Sequence, residues 1–387
     1  MRAVVERFHL PARDPNESHR TATQLELFFD LVTVIAIASV TAALHHAISE
    51  GHGLEGLPRF LFLFTAIWWA WINFTWFASA FDNDGPVYRL LVMLIMLGEL
   101  IFAGGTAHIF ETLDFQWALG GWCLMRVGMA ALWLRASANP EFKTTCRRYA
   151  AGIVFAQLCW IALYFLVEPA SVTFYAAGML CFLIEFAVPP LAESARVTPF
   201  HRHHIVERYG LLAIISMGEI MLSISAGFGR MYGEHPDLAP GGSALAAFLI
   251  VFALFWVYFT EREHLASSRF WTAFIWGYGH VFVFGGIAAL GAALAAEIDI
   301  VGGHGSLGSG GVSLWLGLPM TIVLLALWVT RDRYHSLGWR QPALPVMSAA
   351  ALLAGVAGAS IWVFSVIMIV ALVWRVPLSE DPKAGAH

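Results

Sequence analysis

The chain has 387 residues, 59% of them hydrophobic and 13% charged, with a formal charge of −5 from 22 Lys+Arg against 27 Asp+Glu. An ordinary soluble domain carries roughly a quarter charged residues, so this composition excludes a soluble enzyme. The basic residues are scattered rather than massed, which excludes nucleic acid as a partner.

Residues 1–24, with Arg2, Arg7, Pro11, Arg13 and Pro15, lack the continuous apolar stretch of a signal peptide, and they read as a cytoplasmic amino-terminal segment. Apolar runs near the roughly 20 residues of a bilayer span then follow at 25–46, 58–80, 88–109, 115–135, 148–167, 171–191, 206–227, 243–260, 271–296, 312–330, 342–358 and 360–376. The expected fold is therefore all-α, a polytopic transmembrane helical bundle of about twelve spans over 25–376, with a cytoplasmic tail at 377–387. The break near Gly358 is short, so one of the last two spans is a candidate re-entrant segment.

In the first span Glu26 and Asp30 are four apart and share a helical face, with Thr33, Ile37, Thr41 and His45 continuing it. Each acid there needs a partner, a wet cavity or a proton. Either the two carboxylates hold a proton between them, or they sit at the interface, favoured by the helix dipole and paired with Arg20 or another cation. The second span carries the cluster Trp68-Trp69-Ala70-Trp71, read as packing and aromatic belt.

The third span places Glu99 roughly 15 Å beyond Arg89, near the bilayer centre, and the antiparallel fourth span places Arg126 at similar depth. A buried Glu99–Arg126 ion pair is the expected structural link between them. Cys123, Cys146, Cys159 and Cys181 show no Cys-x-x-Cys spacing and read as packing residues, with neither metal nor cofactor indicated. Glu185 in the sixth span is followed by Pro189-Pro190, either a helix stop or a kink that frees carbonyls for an ion.

His201, His203 and His204 do not share one helical face, so they read as a titrating cytoplasmic patch rather than a metal site. Glu207 and Arg208 follow at the mouth of the seventh span, and Glu219 lies roughly 18 Å deeper than Glu207. Glu219 has no basic neighbour in sequence, which makes it the leading candidate for a protonatable, substrate-linked carboxylate. Gly210 and Gly218 share a face and suggest close helix contact. His280, in the ninth span, is either a hydrogen-bonded core group or part of a proton path.

With the amino terminus inside, all Lys and Arg except Arg59, Arg230 and the mid-span Arg126 fall in inner connections, so both termini are expected in the cytoplasm. Glu26 and Glu207 each precede a long apolar helix, and at that same offset Glu99 falls on His280 and Gly104-Gly105 on Gly285-Gly286. This suggests two parallel six-span repeats, with halves at 25–191 and 204–376.

Leu25-Glu26-Leu27-Phe28-Phe29-Asp30-Leu31-Val32 after Arg20 and Thr23, together with His204-x-x-Glu207-Arg208-Tyr209-Gly210-Leu211 and Gly218-Glu219, resembles the bacterial low temperature requirement A family. Trp-Trp-Ala-Trp followed by Phe81-Asp82-x-Asp84 fits the same pattern, and the resemblance covers most of 20–290. It implies a multi-pass protein of the bacterial inner membrane and a link to growth in the cold, without a substrate or reaction. The motif residues it carries over are Glu26, Phe28, Phe29, Asp30, Glu207, Arg208, Gly210, Gly218 and Glu219.

Three functions stay open. The leading one is a secondary transporter or proton-coupled permease, with Glu26, Asp30, Glu99, Glu207, Glu219 and His280 as substrate or proton ligands and His204, Arg208, Gly210 and Gly218 forming the cytoplasmic mouth. The others are a lipid- or isoprenoid-modifying enzyme, for which no covalent machinery is visible, and a structural or sensory protein. The expected partners are the lipid bilayer, a small molecule or ion, and a further copy of the chain.

Overall fold

The computed structural model describes residues 10–18, 20–169, 171–232, 238–260, 265, 269–307 and 310–376. The expected tail at 377–387 and, of the cations in the orientation count, Arg2, Arg7, Arg262, Lys383 and the Arg230 side chain lie outside this set. Among the described residues there are helices and turns and no strands. The helices are α1 (Gln24–Ser49), α2 (Gly53–Phe81), α3 (Pro86–Gly104), α4 (Thr106–Thr112), α5 (Gln116–Ala136), α6 (Lys143–Leu166) and α7 (Val172–Glu193). They continue as α8 (Arg202–Gly229), α9 (Leu238–Phe259), α10 (Phe270–Val301), α11 (Ser313–Thr330), α12 (Ala343–Val356) and α13 (Ile361–Arg375).

All twelve expected segments are helical, and among the described residues ten helices are long and apolar enough to cross a membrane. Their ends follow local chemistry. Pro86 opens α3, where its missing N–H costs nothing. Ser171 caps α7 by accepting from the Phe174 N–H at 3.0 Å. The helix stop expected at Pro189-Pro190 is corrected: α7 runs through both prolines to Glu193. The prolines lack the N–H groups that would bond the carbonyls of Glu185 and Phe186, a loss a membrane helix tolerates where other groups re-satisfy the backbone; at the end of α7 Arg148 and the Ser194 hydroxyl both donate to Leu191 O, one of the acceptors a helix leaves open.

The chain forms two compact units. The first comprises the described residues up to Ala43 with Phe62–Leu212, and the second comprises Leu44–Leu61 with the described residues from Ala213 onward. The boundary runs through α1, α2 and α8, falling after Leu212 inside α8. In the first unit α3 packs on α5, α5 on α6 and α6 on α7. The α3–α5 contact is backbone to backbone: a Cβ added to Gly98 would lie 2.6 Å from Gly121 O and 2.8 Å from Met125 N.

In the second unit α9 packs on α10 and α13, α10 on α11, and α11 on α12. The short helices α12 and α13 form a hairpin around Gly358, whose φ of 70° suits a glycine just past a helix end. At its base Asp332 takes two bonds from Arg375, at 2.6 and 3.1 Å, and one from Arg331 at 2.5 Å. Arg331 also donates to the carbonyls of Val257 and Tyr258 at the end of α9, satisfying acceptors that the helix leaves open.

Candidate functional site

The first unit gathers a charged network where α1 and α8 begin, α2 ends and α3 begins. Thr23 and Glu26 form a capping box at the start of α1: Glu26 N–H donates to Thr23 Oγ1 at 3.3 Å, and Thr23 N–H donates to Glu26 Oε2 at 2.7 Å. The second carboxylate oxygen of Glu26 meets Arg208 Nη1 at 3.1 Å and His204 Nε2 at 3.0 Å, both from the first two turns of α8.

One turn deeper in α1, Asp30 receives Arg208 Nε at 3.1 Å and Nη2 at 2.5 Å, a forked pairing, and Trp71 Nε1 from α2 at 2.7 Å. Arg208 thus joins two carboxylates one helical turn apart. Glu26, Asp30, His204 and Arg208 have no exposed side-chain surface. Phe29, Phe74 and Tyr209 wall the group: Phe29 and Phe74 have centroids 4.1 Å apart, and Trp71 meets Tyr209 edge-on.

A second tier continues outward. Arg20 lies 3.6 Å from Glu26 and 3.5 Å from Asp82, and Arg13 lies 3.6 Å from Asp82 and forks onto Glu17. Asp82 follows the end of α2. Burial and the Glu26 charge push its carboxyl above the usual aspartate range, against the pull of the Asp84 N–H, Arg20 and Arg13. The Arg13 hydrogen bond holds the Glu17 carboxyl low.

Two further buried groups have no charge partner among the described residues. The Glu99 carboxyl in α3 is fully buried, and its polar neighbours are Thr33 and Asp30 of α1. The Tyr88 hydroxyl, also in α3, is buried within the field of Arg208, Arg20, Glu26 and Asp82 and has no hydrogen-bond partner among the described residues.

The structure thus brings together Glu26, Asp30, His204, Arg208 and Glu99, with Glu207 at the edge, half-buried and accepting the Ala22 N–H at 3.1 Å. It does not pair Glu99 with Arg126. Arg126 lies 3.5 Å from Glu185 and stacks over Trp122 at 3.9 Å, while Trp69 Nε1 donates to Glu185 at 2.9 Å. Equal depth on neighbouring helices does not set the direction a side chain takes: Gly98 and Met125 occupy the α3–α5 contact, which turns the residues that follow them, Glu99 and Arg126, elsewhere.

Glu219 and His280 belong to the second unit. Glu219 is half-buried, and Gly218 is exposed with nothing within 4 Å of an added Cβ, so the close contact expected at Gly218 is not formed among the described residues. His280 is buried, its Nδ1 at 2.8 Å from Trp276 O and its ring against Trp276. The three clustered histidines part company: His204 binds Glu26, His203 is exposed, and His201 contacts the carbonyl of Glu17. Among the described residues no three His, Cys, Asp or Glu are grouped to hold a metal ion.

Tyr88, Trp71 and Asp82 were not singled out as site residues by sequence reasoning. For Trp71 and Asp82 the signal was present in the Trp-Trp-Ala-Trp and Asp-x-Asp pattern; Tyr88 carries no such signal. Among curated proteins, one of Rhizobium meliloti (strain 1021), itself described only as uncharacterized, is 26% identical over 295 residues, covering 71% of this chain and 69% of that one. No solved structure matches. The model of the family described as bacterial low temperature requirement A protein matches residues 21–376, a span that includes every member of the network from Glu26 to Arg208, and the chain belongs to that family.

Proposed function

We propose that this multi-pass membrane protein is a proton-coupled secondary transporter in which Arg208 is the mobile counter-charge and Glu99 the proton carrier. One observation carries the reading: Glu26, Asp30 and Asp82 each have an arginine, whereas the wholly buried Glu99 has, among the described residues, only Thr33 and the Asp30 carboxylate as polar neighbours. An anion there, without a counter-charge, costs several kcal/mol, and taking up a proton removes that cost. Movement of Arg208 from Asp30 towards Glu99 would reverse the preference and release the proton, which couples a conformational change to proton transfer. Ion networks of this kind stabilise a fold no better than apolar packing does, which favours a working role over an architectural one.

A lipid-modifying centre would need these groups open to a lateral entrance, and four of them have no exposed surface. The excess of basic residues in alternate connections supports a bacterial cell-membrane location with both termini cytoplasmic. The expected partners are then the bilayer and a small molecule or ion.

The test uses vesicles containing the purified chain and an internal pH dye, with an imposed proton gradient. Monovalent cations, divalent cations, amino acids and organic acids are added in turn. At least one class should speed the collapse of the gradient with the native chain and not with Glu99→Gln. If no class does so, or if Glu99→Gln is as fast as the native chain, the proposal is overturned.

A further inference from the structure

Residues 10–18 and 20–23, ahead of α1, cross the helix ends around the charged network, and all of them belong to the first unit. Pro11 and Pro15 keep this segment out of a helix. Pro15 takes the second place of a turn closed by Glu17 N–H on Asp14 O at 3.2 Å. Arg13 N–H donates to Ala80 O at 2.9 Å, an acceptor left open where α2 ends, and Arg20 reaches Ala78 O in the same turn at 3.5 Å. The Glu17 carbonyl meets His201 Nε2 at 2.9 Å just ahead of α8, and Ala22 N–H donates to Glu207 in α8 at 3.1 Å. With Arg13 on Asp82, and Arg20 on both Asp82 and Glu26, the segment is a strap tied to α1, α2 and α8.

The strap and what it touches are held in different ways. Among its described residues only Leu10 and Arg20 are buried, so one apolar side chain anchors it and the other fastenings are polar. Hydrogen bonds and part-exposed ion pairs each add little net stability, and a segment with few buried apolar contacts opens well short of global unfolding. The groups it meets are sealed: Glu26, His204 and Arg208 have no exposed side-chain surface, and Asp82 is almost wholly buried. Lifting the strap parts Arg13 and Arg20 from Asp82 and Glu26, and it admits water to all four charges at once. No ion is then left both buried and unpaired, which is the costly condition.

We propose that this strap is a gate, which swings off the ends of α2 and α8 and opens the charged network to solutes on the side of the membrane where the chain begins. The helices themselves stay in place, because Arg208 of α8 and Trp71 of α2 both hold Asp30 of α1 in the buried layer behind the strap. The gate concerns access alone. It goes beyond the proton-coupled reading and holds whether or not Glu99 carries a proton.

The test reads access at His204, a wholly buried member of the network, against the exposed His203 beside it. The full chain in lipid nanodiscs is treated with diethyl pyrocarbonate, and modification of the two rings is followed by mass spectrometry of the digest. In the native chain His204 should react measurably but far more slowly than His203. Leu10→Ser/Arg13→Gln loosens the strap and leaves Glu26, His204 and Arg208 untouched; it should speed the reaction at His204 about tenfold, with His203 unchanged. In a cysteine-free background, Glu17→Cys/His201→Cys bridged by a short reducible bis-thiosulfonate should suppress the reaction at His204, and dithiothreitol should restore it. If the loosened variant does not fold, the bridged pair decides alone. The proposal is overturned by an unreactive His204 in the native chain, by a rate that loosening leaves unchanged, or by a rate that bridging leaves unchanged.

Discussion

Arg208 donates two hydrogen bonds to Asp30 and forms an ion pair with Glu26, and both of these partners are cut off from water. Taking the guanidinium away leaves two buried carboxylates short of positive charge, a loss on the order of 3–5 kcal/mol. Arg208→Gln should therefore lower the unfolding temperature of the detergent-solubilised chain markedly, and Arg208→Lys nearly as much, because a single ammonium cannot reproduce the fork on Asp30 while reaching Glu26. Asp30→Asn combined with Arg208→Gln should be less harmful than Arg208→Gln alone, since the stranded charge is then gone. An Arg208→Gln variant that melts with the native chain would show that the network bears no load. At this scale the participants were legible, as was Arg20 as a partner of Glu26, and the pairings of Arg208 were not. Glu26 and Asp30 share a face by their spacing, and Glu207-Arg208 stands out as a charged pair entering an apolar run. That Arg208 lies between the two acids depends on how α1 and α8 are turned towards each other, and helical spacing carries no information on that.

Helix contacts show the same division between what periodicity reveals and what it hides. Every expected segment is helical because apolar length alone demands it in a membrane, yet the glycines that set the closest approaches were not those suggested by spacing. Gly98 and Gly121 let the backbones of α3 and α5 touch, while Gly218 faces open space. Small residues at such contacts hold membrane helices together by close packing and not by a hydrophobic drive. Gly98→Ala would set its Cβ against Gly121 O and Met125 N, which are backbone atoms that cannot rotate away. The expected cost is about 1–3 kcal/mol, seen as a lower melting temperature in detergent. Gly218→Ala is the matched control and should be neutral or slightly stabilising, as expected for removing a glycine from a helix interior. Equal effects of the two substitutions would show that the α3–α5 contact does not govern stability.

For the whole molecule the open question in the sequence was whether both of the last two segments cross the membrane. At 14 and 15 residues, α12 and α13 are about 21 and 22 Å long, short of a hydrocarbon core of roughly 30 Å. Their bonds to α11 decide the matter better than their lengths do. At one end Ser313, the first residue of α11, donates to Ala359 O at the hairpin tip at 2.7 Å. Midway Thr321 donates to Ser348 O at 3.0 Å, and at the other end Asp332, just past α11, holds Arg375. The hairpin therefore runs the full length of α11, itself one of the helices long enough to span. If α11 crosses, α12 and α13 cross beside it, and the chain leaves the membrane on the side where α11 ends. In a cysteine-free background, Ser360→Cys beside the tip and Ser336→Cys beside the base, both exposed positions, should then report opposite faces. A membrane-impermeant maleimide added to intact cells should label residue 360 and reach residue 336 only after permeabilisation. Labelling of residue 360 only after permeabilisation would make the hairpin re-entrant, and labelling of residue 336 in intact cells would reverse the orientation.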